Sequence, residues 1–186
     1  IFLSVLTAVG TEYLYQWFTK KPITVGDMSA VVTGLLLAYN LPANAPWWIA
    51  VIGSAFAILI VKQFFGGIGQ NFMNPALAGR VVLVASWAGI MTTSFMMPQP
   101  GAIFADSAQA VDAVSVATPL VLSPGQNYSL LDMFLGNVPG CLGETSALAL
   151  LLGAGYLFFR KVISWRIPVT MIGTCAICFW IQTGTF

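Results

Sequence analysis

The chain has 186 residues, of which 58% are hydrophobic and 7% charged, with no histidine and a mean hydropathy of +0.87. A formal net charge of +1, with no basic cluster larger than Arg160-Lys161 and Arg166 nearby, excludes a nucleic-acid partner. The lack of histidine excludes imidazole-ligated haem and histidine proton relays.

Such a composition describes an all-α, polytopic membrane protein whose main partner is the lipid bilayer. The sequence begins with Ile1 inside an apolar run, with no initiator methionine, basic leader or small-residue cleavage site. It reads as one membrane domain, 1–186, internal to a longer chain. A spanning helix needs about 20 mostly apolar residues, fewer where neighbours cover its ends. Six segments fit that description.

The first, residues 1–18, contains Glu12, a carboxylate that is costly in lipid and therefore a candidate ion ligand or proton carrier. The alternative is a neutral or paired acid near the cytoplasmic end of the span, where Lys20 and Lys21 follow two turns later. The second, 27–41, is short enough to be tilted or re-entrant, and Asp27 at its start suits the helix dipole. After the brief 42–46 link comes the third, 47–61, closed by Lys62.

Between the third and fourth segments runs Phe64-Phe65-Gly66-Gly67-Ile68-Gly69-Gln70-Asn71-Phe72-Met73-Asn74-Pro75-Ala76-Leu77-Ala78-Gly79-Arg80. Irregular backbone at membrane depth must line a cavity or be buried in protein. Gly67 and its neighbouring glycines permit positive φ and close approach, while Asn71 and Asn74 offer uncharged donors and acceptors. That combination suits a polar, uncharged ring, with Phe65, Phe72 or Trp87 covering one face. Asn74 followed by Pro75 is equally a standard helix start, and both readings can hold together.

The fourth segment, 81–97, leads into a long loop, 98–143, that carries Asp106, Asp112 and Asp132, with Glu144 at its far end. The polar centre of the loop is Asp112-Ala113-Val114-Ser115-Val116-Ala117-Thr118-Pro119. Pro119 biases Thr118 toward extended geometry, which displays its hydroxyl, and small Ser115 and Ala117 leave the site open. The stretch reads as a modification site or simply as a polar loop. The fifth and sixth segments, 145–159 and 167–183, flank Arg160, Lys161 and Arg166. Cys175 and Cys178 lie within the sixth; with only Cys141 elsewhere they read as small core residues on one helix face rather than cluster ligands.

Basic residues are retained on the cytoplasmic side. Alternating six spans places all seven bases there and puts the 98–143 loop, with Thr118, on the extracytoplasmic side. The expected location is the inner (cytoplasmic) membrane, crossed several times.

With Thr118 and the glycine-asparagine segment in hand, the chain resembles the RnfD family, a component of the Rnf complex, the ion-translocating ferredoxin:NAD oxidoreductase. The NqrB component of the sodium-pumping NADH:quinone reductase is the nearest relative of that family. Leu135-Gly136-Asn137-Val138-Pro139-Gly140-Cys141-Leu142-Gly143-Glu144-Thr145-Ser146 and Arg160-Lys161-Val162-Ile163-Ser164-Trp165-Arg166-Ile167-Pro168 extend the match over essentially the whole chain. The family's flavin-attachment pattern is Asp-x-x-Ser/Thr-Gly-Ala-Thr, and Val116 stands where it has glycine. The resemblance implies a membrane electron carrier with FMN joined through its phosphate to Thr118, beside Asp112, Ser115 and Ala117. It further implies a second flavin, riboflavin, which the residue reading assigns to Asn71, Asn74 and Gly67. RnfG, the extracytoplasmic flavin component of such a complex, and a flavin transferase are the implied partners. Glu12 is the candidate for coupling to Na⁺ or H⁺. Two other classes remain: a channel or transporter, to which Asn74-Pro75-Ala76 gives an opening although it occurs only once, and a cofactor-free structural subunit.

Overall fold

The computed structural model describes residues 1–93, 95 and 129–183. They form two compact units, Ile1–Ser146 and Ala147–Phe186. Among the described residues the secondary structure is helical, without strands.

In the first unit α1 (Phe2–Phe18) lies against α2 (Ser29–Tyr39) and α3 (Trp47–Phe56), and α4 (Pro75–Ser86) closes the bundle against α2 and α3. α3 runs on without a break into a π-helical stretch, Ala57–Gln63, which packs on α1 and α4. Two short helices follow in sequence, α5 (Ala88–Thr93) and α6 (Leu130–Leu135). The second unit holds α7 (Ala147–Phe159) and α8 (Arg166–Thr183), with no buried side chain among those described.

The helix ends follow local chemistry. Asn74 caps α4, its Oδ1 accepting from the backbone N–H of Ala76 and Leu77, with Pro75 in the first turn. Ser129 caps α6 in the same way. α1 ends on Lys20 in the left-handed region (φ 55°), with the N–H of Lys21 donating to Gln16 O at 2.9 Å. α7 ends on Lys161 at the same φ, with the N–H of Val162 donating to Leu157 O at 3.0 Å. These are Schellman closures built on lysine where glycine is usual.

The bundle is tight because small residues line its contacts. A Cβ placed on Gly34 would stand 2.8 Å from Val5 Cα and 3.0 Å from Ala8 Cβ, so α2 touches α1 almost backbone to backbone. Beside that contact Ser4 Oγ donates to Gly34 O at 2.8 Å and shares a 2.8 Å hydrogen bond with Ser54 Oγ, which ties α1, α2 and α3. At the α3–α4 contact a Cβ on Gly79 would come 3.0 Å from Gly53 O. Close packing of small residues with interhelical serine bonds is how helices associate where burial of apolar surface supplies no driving force.

Among the described residues no helix is long and apolar enough to cross a membrane; α2, with 11 residues, rises only about 16 Å against a hydrocarbon core of about 30 Å. Two expectations are corrected. The fourth segment, 81–97, is not one helix: α4 begins at Pro75 on the Asn74 cap, the helix start that those two residues predict, and Trp87 (φ −134°, ψ 53°) breaks it before α5. Arg80 therefore lies within a helix, bonded to Asn40 at the C-terminal end of α2, whereas Lys62 bonds Ser29 at the N-terminal end. The two cations stand about a helix length apart, so they do not share one face. Finally, Cys175 and Cys178 are exposed on α8 and are not core residues of their unit.

Gly34→Ala should lower the stability of the full-length protein in detergent by about 1–3 kcal/mol, because the methyl meets backbone that cannot yield. Gly10→Ala, on the same bundle but with nothing within 4 Å of its Cβ position, should be neutral or stabilising by up to ~1 kcal/mol. Thermal unfolding of the two variants in parallel checks the order, and equal effects would refute the close α1–α2 contact.

Candidate functional site

The polar centre of the bundle is built around Glu12, which is fully buried on α1. Lys62 Nζ donates to both of its carboxylate oxygens, at 2.8 Å each, and is itself 3% exposed. Gln63 Nε2 donates to Oε1 at 2.7 Å, and Gln16 Nε2, one turn along α1, approaches the same oxygen at 3.3 Å. Among the described residues no buried side-chain polar atom is left unsatisfied.

The winding of the chain explains how two successive residues reach one carboxylate. In an α-helix neighbours diverge by about 100°; the wider turn of the π-helix, closed by Phe64 N–H donating to Leu59 O at 3.0 Å, reduces that angle. Lys62 and Gln63 thereby both face Glu12. The stretch then stops at Gly66 (φ 109°), with Gly67 N–H donating to Lys62 O at 2.9 Å.

The centre connects outward. Lys62 Nζ also donates to Ser29 Oγ at 2.5 Å, and Ser29 Oγ donates to Asp27 Oδ1 at 2.5 Å. Asp27 lines a polar recess of about 400 Å³ with Gln16, Thr24, Gln63 and Gly67. Gln16 is braced there by Thr24, whose N–H donates to Oε1 at 2.9 Å and whose hydroxyl accepts from Nε2 at 2.8 Å. The buried carboxylate is thus one layer of hydrogen bonds from an open cleft.

The partner expected for Glu12, Lys20 or Lys21, is replaced by Lys62. Both earlier lysines are exposed, and Lys21 Nζ instead sits 5.0 Å over the Tyr15 ring. Sequence reasoning missed Lys62, Gln63 and Ser29 because a spacing of about 50 residues carries no periodic signal. The available signal was one acid inside an apolar run and one base closing another.

The proposed flavin residues fall apart. Asn74 lines an apolar groove of about 500 Å³ with Phe65, Phe72, Val61, Met73 and Leu77. Phe65 and Phe72 meet edge-to-face there, with ring centroids 4.8 Å apart. Gly67 faces the polar recess on Lys21, Asp27 and Gln63 instead. Asn71 spends its amide on Met73 O at 2.9 Å. Trp87 packs on Trp48, centroids 5.2 Å apart, in the Leu41–Ile49–Leu83–Met91 core. An aromatic ring fits the groove, since its walls are apolar, two phenylalanines border it, and the Asn74 cap uses Oδ1 while Nδ2 takes no part in it. Asp112, Ser115, Ala117 and Thr118 lie outside the described residues.

A third cluster joins the loop exit to the bundle. Arg80 Nη1 donates to Asn40 Oδ1 at 2.9 Å and to Cys141 Sγ at 3.4 Å, and stands 3.8 Å from Glu144 Oε2. Glu144 Oε1 accepts from the Cys141 N–H at 3.2 Å, and Gly143 N–H donates to Tyr39 O at 2.9 Å. Burial pushes the Cys141 thiol up to about 11, with the Arg80 guanidinium opposing and Glu144 reinforcing the shift. The thiol is therefore neutral at physiological pH. Its share of stability is complete below the ordinary 9.0 and is lost as pH rises toward 11.

Residues 1–185 match the model of the NQR2, RnfD, RnfE family. The chain belongs to that family. It is 54% identical over 181 residues to the subunit designated D in the Na⁺-translocating ferredoxin:NAD⁺ oxidoreductase complex of Acetobacterium woodii, covering 94% of this chain and 54% of that protein. It is 44% identical over 197 residues to the subunit of the same designation in the proton-translocating ferredoxin:NAD⁺ oxidoreductase complex of Clostridium ljungdahlii, covering 100% and 57%. The corresponding subunit of the ion-translocating oxidoreductase complex of Escherichia fergusonii is 35% identical over 212 residues, covering 96% and 59%. The chain spans little more than half the length of the curated relatives it matches. Family membership thus covers both the Glu12 centre and the Asn74 groove.

Breaking the buried pair from one side should be costly. Glu12→Gln and Lys62→Met, each measured in sodium-free buffer, should lose about 3–5 kcal/mol of stability, because either leaves a buried charge without its partner. The double variant should lose clearly less than the sum. Additive losses in a double-mutant cycle would show that the two side chains do not depend on each other.

Proposed function

We propose that the chain belongs to a membrane electron-transfer subunit in a complex that couples oxidation of reduced ferredoxin by NAD⁺ to outward movement of Na⁺ or H⁺. The observation that carries the reading is the 54% identity, over 94% of the chain, to a subunit of such a complex.

In this reading the six apolar segments cross the inner membrane, and the 98–143 loop stands on the extracytoplasmic side. Apart from Arg80, which belongs to the loop-exit cluster, and Lys62, which is paired with Glu12 inside the bundle, the lysines and arginines gather beside alternate connections. Thr118 carries FMN through a phosphoester, with Asp112, Ser115 and Ala117 as the open, acidic surround that a flavin transferase needs. A flavin held this way supplies one- and two-electron chemistry while its ring stays free. RnfG, with its own flavin, is the exchange partner.

Riboflavin is the second group, and the groove is where this chain's residues suit it. Phe65 and Phe72 would cover the ring, Asn74 Nδ2 would orient a ring carbonyl or nitrogen, and Asn71 would act through Met73, a residue of the groove wall whose carbonyl its amide holds. Gly67 serves the neighbouring turn. Glu12 is the carboxylate through which ion movement is coupled, supported by its complete burial and its path to a polar cleft.

Two measurements test the reading. In-gel flavin fluorescence of the denatured full-length subunit, expressed with its transferase, should be present in the wild type and lost in Thr118→Ala; an unflavinylated wild type beside an active control would sink it. Asn71→Ala, which leaves the α4 cap untouched, should lower non-covalent flavin content several-fold with covalent flavin unchanged, as read by acid extraction.

A further inference from the structure

The Glu12 centre has a feature that ion pairing alone does not require. Lys62 Nζ is enclosed by three oxygens, Glu12 Oε1 and Oε2 at 2.8 Å and Ser29 Oγ at 2.5 Å. A bare hard cation takes oxygen ligands at similar range, about 2.3–2.6 Å for Ca²⁺, and Na⁺ is of nearly the same size. We propose that the Lys62 ammonium is a tethered stand-in for a monovalent metal cation: it fills an oxygen-lined position on Glu12 that Na⁺ occupies when the ammonium withdraws.

The exchange conserves charge. One positive charge leaves the carboxylate and one arrives, so the buried centre is never left with an uncompensated anion, the state that costs most. No bond is made or broken in the chain. The ammonium has somewhere to go: Ser29 Oγ, already its third ligand, donates its own hydrogen bond to Asp27, an exposed second carboxylate on the wall of the polar recess. That recess also gives a hydrated cation its approach. Gln63, whose amide meets Glu12 Oε1 at 2.7 Å, can turn to offer oxygen in place of nitrogen once the site holds a metal ion.

This deepens the reading of Glu12 as the coupling carboxylate and rests on it for biological purpose, but the two can fail separately. The test is the thermal midpoint of the full-length protein in detergent, in NaCl against choline chloride at equal ionic strength. Wild type should be indifferent to the salt. Lys62→Ala should lose stability in choline and regain about 5 °C or more in roughly 100 mM NaCl, with saturation. Glu12→Gln/Lys62→Ala should ignore sodium, which places the effect on the carboxylate. Lys62→Gln, which keeps a donor for Glu12, is read in the same way and serves if the alanine variant does not fold.

A folded Lys62 variant with no sodium response, or an equal response in the double variant, overturns the proposal. Ion uptake by vesicles carrying Glu12→Gln separates the two readings. Undiminished uptake together with a sodium-responsive Lys62→Ala keeps the stand-in and removes the coupling role. Abolished uptake with a sodium-blind Lys62→Ala does the reverse.

Discussion

The rest of the first unit depends on one interaction, the buried contact between Glu12 and Lys62. A carboxylate and an ammonium taken out of water cost several kcal/mol each after relaxation, and the attraction between them offsets this only when the geometry is good and the remaining donors and acceptors are satisfied. Here they are, by Gln16, Gln63 and Ser29. These residues come from α1, from the start of α2 and from the end of the α3 extension. The requirement therefore fixes the rotation of three elements at once: turning any of them by one residue removes a partner from the charge.

The small-residue contacts act at the other level, that of distance. Ser4, Ala8, Gly34 and Ser54 sit where α1, α2 and α3 come closest, and they let the backbones approach until a serine hydroxyl can reach a carbonyl. Larger residues there would hold α1 away from α3, and Lys62 would no longer reach both oxygens of Glu12. Close packing at one end of α1 and charge pairing further along it are thus two parts of one constraint. At the C-terminal end of α2, Arg80 performs the equivalent task with Asn40, Cys141 and Glu144, fastening the end of the long loop to α2 and α4.

How far this was legible in the sequence depended on whether the signal was local. The helices of α1, α2, α7 and α8 fall within a residue or two of the apolar runs, and the Asn74-Pro75 start is written in two adjacent residues. Glu12 was conspicuous because a lone acid in an apolar run has few innocent explanations. Its partner was not, since Lys62 closes its own segment and reads as an end charge until the π-helical winding turns it inward. The same winding hid Gln63. Arg80 misled for a related reason: the fourth helix begins earlier than its apolar stretch, so a charge that flanks the apolar run lies inside a helix. The glycine-asparagine segment was correctly singled out as unusual, yet its residues serve two different recesses, a division that depends on positive φ at Gly66, Gly67 and Gly69.

The π-helical stretch is also the point at which those two recesses meet. Ile60 and Val61 form part of the wall of the apolar groove that holds Asn74, while Lys62 and Gln63, the next two residues, grip the carboxylate. One wall of four residues separates an aromatic-lined groove from a buried ion pair. Its winding is the less common one, with a wider turn than the α-helix that precedes it, and π-turns of this kind recur at functional sites. Rewinding it to an α-helix would swing Gln63 away from Glu12 and shift Ile60 and Val61 against Phe72 in the same movement. Occupancy of the groove and ligation of the carboxylate are therefore not geometrically independent, because the backbone between them has to satisfy both.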